Sequence, residues 1–121
     1  MFIIVANCKS RHPELNNPHH IYCGRPMSAL SSFPISPLGN PYRLNFDGYR
    51  AQCVQLFKED LWRAINDKPC LRLNGPAAKT ELLRLAQLAQ PAKTITLFCW
   101  CAPEPCHCDV IRAALLWLRR A

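Results

Sequence analysis

The stretch TITLFCWCAPEPCHCDVIRAALLWLRR, residues 94–120, constrains the fold more than any other part of the chain. Its first seven residues, 94–100, are β-branched and aromatic and read as a buried strand. From 108 to 120 the apolar residues Val110, Ile111, Ala114, Leu115 and Leu118 recur at helical spacing, and Arg119 and Arg120 suit the C-terminal end of that helix. A strand that feeds through a short loop into a helix is half of a βαβ unit. In open α/β sheets, ligands bind outside the carboxyl ends of the strands. The loop at that place, between the last strand and the last helix, holds Cys99, Cys101, Cys106, His107 and Cys108, half of the chain's 8 cysteines.

The rest of the chain fits the same α/β class, and a length of 121 residues predicts one domain, 1–121. Residues 2–6 read as a first strand, 7–19 as a polar loop, and 20–23 as a short second strand. Residues 24–47 are rich in proline and serine, a long irregular segment of the kind that carries function or moves. The periodicity of Tyr49, Cys53, Leu56, Phe57, Leu61 and Ile65 predicts a helix over 48–66, with Asp47 as its cap. Residues 69–73 are ambiguous. A further helix over 74–90 has Pro76 in its first turn and an inner stripe of Leu82, Leu85, Ala86 and Ala89. The stretch GPAAKT, 75–80, lacks the glycines that a phosphate-binding loop needs to wrap its ligand.

No segment is long and apolar enough to span a bilayer, and MFIIVANC has neither a basic region before its apolar run nor a cleavage site after it. The expectation is a cytoplasmic protein without membrane contact, whose thiols stay reduced and serve metal binding or reactivity rather than disulfides. A net charge of +7 favours anionic partners, either a small molecule or nucleic acid. The basic residues are scattered, however, and an evenly solvated surface explains them equally well.

Three readings of the cysteine loop stay open. A metal ion, zinc before an iron–sulfur cluster, would take Cys99, Cys101, Cys106 and Cys108, with His107 or a second group from Cys8, Cys23, His19 or His20. Alternatively, Cys101 or Cys106 is a nucleophile, with His107 or His20 as base and Asp109 tuning it at a helix N-terminus that lowers thiol pKa. Lastly, the cysteines are small buried hydrophobes, as expected for Cys53 and Cys70.

Two signatures, YCGRP (22–26) with SPLGNPY (36–42), and CWCAPEPCHCDV (99–110), resemble the uncharacterised family called domain of unknown function 4326, whose members look like small bacterial and phage proteins. The chain has Cys108 where the family pattern C-W-C-A-P-x-x-C-H-G-D-V carries glycine, and MSALSSFPI separates the halves of the first signature. The resemblance implies a small Rossmann-like domain of three layers and supplies no reaction. Read physically, Gly24 and Gly39 permit turns, Pro26 and Pro41 stiffen them, and Arg25 and Arg43 can fork around a phosphate or carboxylate. Asn40 offers donor and acceptor to a base or sugar. The competing account is a rigid loop covering a sheet edge. Two functions follow: an enzyme or binding domain for an anionic, nucleotide-like or nucleic-acid-derived substrate, or a metal-stapled module that binds nucleic acid or protein without catalysis.

Overall fold

Three short, largely apolar segments build the sheet. In a computed structural model, which describes residues 2–24, 35–89, 93–101 and 104–120, these are β1 (Phe2–Asn7), β2 (His20–Tyr22) and β3 (Thr94–Cys99). All pairings are parallel, in the order β1-β3-β2, with Phe2 opposite Thr94 and Tyr22 opposite Phe98. The central place of β3 explains its composition. A strand flanked on both sides and covered on both faces must be apolar throughout, and Ile95, Leu97, Phe98 and Cys99 are all buried.

Three helices complete the described chain: α1 (Arg50–Ile65), α2 (Gly75–Leu88) and α3 (His107–Arg120). Their buried residues, among them Phe57, Leu61, Leu82, Leu85, Ile111 and Leu115, form one cluster with Ile3, Ile21, Ile95, Leu97 and Cys99 of one sheet face. The opposite face carries a small cluster of Cys8, Tyr22 and Phe98, with Ala6 and Trp100 packed on it and no helical residue. Arg11 and the ring of His20 lie against Phe98 there. The fold is therefore a small α/β domain with a three-stranded parallel sheet. The expected three-layer arrangement is not seen among the described residues, because the segment between β1 and β2, rather than a helix, covers the second face. No helix among the described residues is long and apolar enough to cross a membrane.

Two details differ from expectation at α1. The helix starts two residues late, and Asp47 does not cap it. Instead the Gln52 side chain accepts from the Tyr49 N–H at 2.7 Å, while Asp47 accepts from the Arg43 N–H and pairs with Arg72 at 2.8 Å. Gly48 sits between them at φ 141°, a region that side chains resist, and an added Cβ would run into Gln52. The start of α2 is as expected. Asn74 accepts from the Ala77 N–H, Pro76 lies in the first turn, and Lys79 of the discarded phosphate-loop motif pairs with Asp67 at 2.8 Å.

The sequence reading missed Asp60, which faces inward from α1 and is fully buried. Its carboxylate accepts from the backbone N–H groups of Leu71, Arg72 and Leu73, from the Tyr42 hydroxyl and from Arg63. Burial pushes its pKa up, but these donors outweigh burial and hold it at about 2. This explains the ambiguous stretch at 69–73. Its backbone bonds to a side chain instead of to a ladder. The Arg72 guanidinium also stacks over Tyr42, 4.8 Å from the ring centroid. Tyr42, Asp60, Arg72 and Asp47 thus pin the segment after Asn40 to the helices, beside the carboxyl ends of β2 and β3.

Candidate metal centre and the adjoining cleft

The cysteine loop converges on the start of α3. Cys106 precedes the helix, and its sulfur accepts from the Cys108 N–H at 3.5 Å. Asp109, in the first turn, returns a carboxylate bond to the Cys106 N–H at 3.0 Å. Together these satisfy orphan donors at the helix start, a capping arrangement in which a thiol takes the usual hydroxyl's place. Asp109 therefore holds the loop backbone.

Cys99, Cys106 and Cys108 are all buried, and their sulfurs lie within 4.8 Å of one another. Cys99 comes from the centre of the sheet, and the other two from the helix start. Crowding disfavours thiolates. The Cys106 thiol is pulled down by bonds from Cys108, but Cys99 and burial raise it further, so its pKa lies well above the ordinary range. Cys108 is likewise raised by Cys106, Cys23, Cys99 and burial. A bound dication reverses this balance, since it compensates the charges that crowding penalises.

Cys101 does not join the group. It packs against the same buried cluster as Cys99, but β3 ends at Cys99 and the chain bends from Trp100 onward. Trp100 turns to the opposite face, where its Nε1–H donates to the Tyr22 hydroxyl at 2.8 Å. Cys8 lies on that face too, and burial with the nearby Cys99 and Cys23 pushes its thiol up to about 11. His20 is removed from the site: its Nδ1 accepts from the Glu14 N–H and its ring lies on Phe98. His19 belongs to the same turn, where its N–H donates to the Asn17 side chain.

His107 sits one residue into α3, mostly buried. Its Nε2 is 2.7 Å from the Cys23 carbonyl oxygen and its Nδ1 3.4 Å from the Cys106 sulfur. A carbonyl only accepts, so Nε2 carries the proton and Nδ1 faces the thiol as an acceptor. The edge of the ring meets Phe57 at 5.3 Å. The imidazole thus ties the helix start to the end of β2.

Beside this group opens a cleft of about 440 Å³, lined by Gly24, Asn40, Tyr42, Arg43, Arg50, Cys53, Cys99, Cys101 and His107, with Trp100 and Pro105 at one side. It lies where the α/β rule places ligands. Both charged residues of the described lining, Arg43 and Arg50, are cationic. Arg43 stacks on Phe46 at 4.9 Å, and Arg50 approaches Glu104 at 3.7 Å. Cys106 does not line the cleft. A nucleophile must reach its substrate, so the buried, high-pKa Cys106 is unsuited to that role, and of the two loop thiols on the cleft wall Cys101 is the partly exposed one and Cys99 the buried one.

The first signature is only partly described, since Arg25 and Pro26 lie outside the described residues. Its remaining parts do meet. A Cβ on Gly39 would come within 3.6 Å of the Gly24 carbonyl oxygen and 3.8 Å of that of Cys23, so the turn rests directly on the end of β2. Asn40 uses its side-chain oxygen to accept from the Tyr42 N–H at 2.9 Å, bracing the turn around Pro41. The intervening MSALSSFPI thus does not keep the two halves apart at Gly24 and Gly39.

The family model described as Domain of unknown function (DUF4326) matches residues 6–117, nearly the whole chain, and the chain belongs to that family. Searches of curated proteins and of solved structures found no match.

Proposed function

We propose that this member of the family is a metal-stapled binding domain, in which a thiolate-bound zinc ion joins β3 to α3 and the cleft beside it receives an anionic group. The observation that carries the reading is the convergence of three buried sulfurs within 4.8 Å. Thiolates around one zinc ion, each at about 2.3 Å, lie about 3.8 Å apart, so a small closure of the group suffices. A cluster of several iron atoms holds its cysteines further apart, which favours zinc. Elemental analysis of protein purified without oxygen tests this. About one zinc per chain, with unfolding on chelation, is expected. Metal-free protein that is fully folded, or iron with broad visible absorption, refutes it.

A second reading keeps the cleft as an enzyme's substrate site in a small Rossmann-like cytoplasmic protein. Arg43 and Arg50 would hold a phosphate or carboxylate, Asn40 and Gly24 would shape the wall, and Cys101 would be the accessible thiol. It is supported by a described lining with cationic but no acidic side chains. Nucleotide titration separates the readings: ligand binding lost in Arg43→Ala and accompanied by turnover that needs Cys101 favours catalysis. Binding of single-stranded nucleic acid with a steep salt dependence favours the module.

A further inference from the structure

The three sulfurs leave one position of a tetrahedral ion unfilled, and Cys23, the residue directly after β2, is placed to take it. Tyr22 is paired with Phe98 in parallel register, so Cys23 follows directly beside Cys99. The ladder continues through it, with the Cys23 N–H donating to the Phe98 carbonyl at 3.0 Å. Neighbouring strands lie about 4.8 Å apart, which puts the two residues side by side on one face. Both belong to the cluster that contains Cys106 and Cys108, and Cys23 is fully buried. The His107 ring fixes the backbone on this side by its bond to the Cys23 carbonyl. The Cys23 sulfur now rests 3.9 Å from the Ile21 carbonyl oxygen, a long contact that a thiol gives up at little cost.

We propose that Cys23 is the fourth ligand of a closed four-cysteine zinc site with Cys99, Cys106 and Cys108. The inference rests on the metal reading above and adds its coordination. The Cys108 thiol already has the Cys23 side chain as a hydrogen-bonding neighbour. Cys101 and Cys53 are the competing fourth ligands, since both face the cleft. A closed site has no open position for water or substrate, so the metal is structural and ties the ends of β2 and β3 to the start of α3.

Zinc K-edge X-ray absorption on the zinc-loaded full chain tests the assignment, with Cys23→Ser, Cys53→Ser and Cys101→Ser variants alongside. The expected result is four sulfur neighbours at about 2.3 Å in the wild type, unchanged in Cys53→Ser and Cys101→Ser, and three sulfurs with one lighter atom in Cys23→Ser. If Cys23→Ser does not fold, the other three proteins still decide: four sulfurs in each excludes both competitors. Three sulfurs and a lighter atom in the wild type overturn the four-cysteine site while leaving the metal reading intact. A sulfur lost in Cys53→Ser or Cys101→Ser overturns the choice of Cys23. A chain that takes up no zinc overturns both.

Discussion

Replacing Asp60 by asparagine removes the charge while keeping the shape, and the structure says what that costs. One carboxylate oxygen accepts from Arg63 and the Leu71 N–H, and the other from the Tyr42 hydroxyl and the N–H groups of Arg72 and Leu73. Whichever way the amide points, its NH₂ group meets at least two donors that it cannot satisfy. At about 1–3 kcal/mol for each donor left unmatched, two such donors cost the variant about 2–6 kcal/mol. With about 2.1 cal/mol/K of unfolding entropy per residue, Tm falls by roughly 8–24 °C. Acid unfolding supplies a second arm. The carboxyl has a pKa of about 2 in the fold against 3.8 as the ordinary value, so the depressed pKa contributes stability at every pH above 3.8 that is lost as pH falls from 3.8 to 2. That contribution is about 2.5 kcal/mol. Urea titrations at pH 7, 4 and 2.5 measure both. The wild type weakens across the acid window more than Asp60→Asn does. A variant within about 1 kcal/mol of wild type at pH 7, or one with the same acid dependence, refutes the argument.

Further outcomes follow from the same geometry. Cys106→Ser lowers zinc content and thermal stability, whereas Cys8→Ala, on the opposite sheet face, leaves zinc content unchanged; elemental analysis of both reads the difference. Zinc affinity rises with pH across the neutral range, because crowded thiols must each give up a proton, and competition with a chelator at pH 6 and 8 measures it. Leu85→Ala opens a cavity beneath α2 and costs about 2–5 kcal/mol in urea unfolding. Arg43→Ala with Arg50→Ala weakens anion binding in the cleft without changing zinc content, as calorimetry with inorganic phosphate and metal analysis together would record.

The strands, the helices and their inner faces were legible because hydrophobic periodicity is a local signal. Ile111 and Leu115, or Leu82 and Leu85, announce a buried stripe without knowledge of what covers it. The location of the site was legible for a related reason, since four cysteines at a strand-to-helix loop mark a place. Its membership was not. Cys101 packs on the side of Cys99 yet stays outside the sulfur group because the strand stops one residue earlier than its β-branched run suggests, and Cys23 was left among several candidates because its place beside Cys99 depends on parallel register. Register is a long-range property that no window of sequence contains. Asp60 was missed for the same reason. In sequence it is an ordinary acid on a helix, and its five donors come from residues 42, 63 and 71–73. The single usable hint was an acidic residue on an otherwise apolar helical face.

The strand order carries a consequence for biosynthesis. β1 and β2 do not pair with each other; each waits for β3, and Phe2 finds its partner only at Thr94. A nascent chain emerging from the ribosome therefore has no sheet until most of it has been made, and its first two strands stay apolar and unpaired with their edges open. Cys8 and Cys23 emerge in that interval as accessible thiols. Assembly is then a late event, slow in the manner of parallel topologies, and metal capture by thiols from both ends of the chain would coincide with the insertion of the central strand.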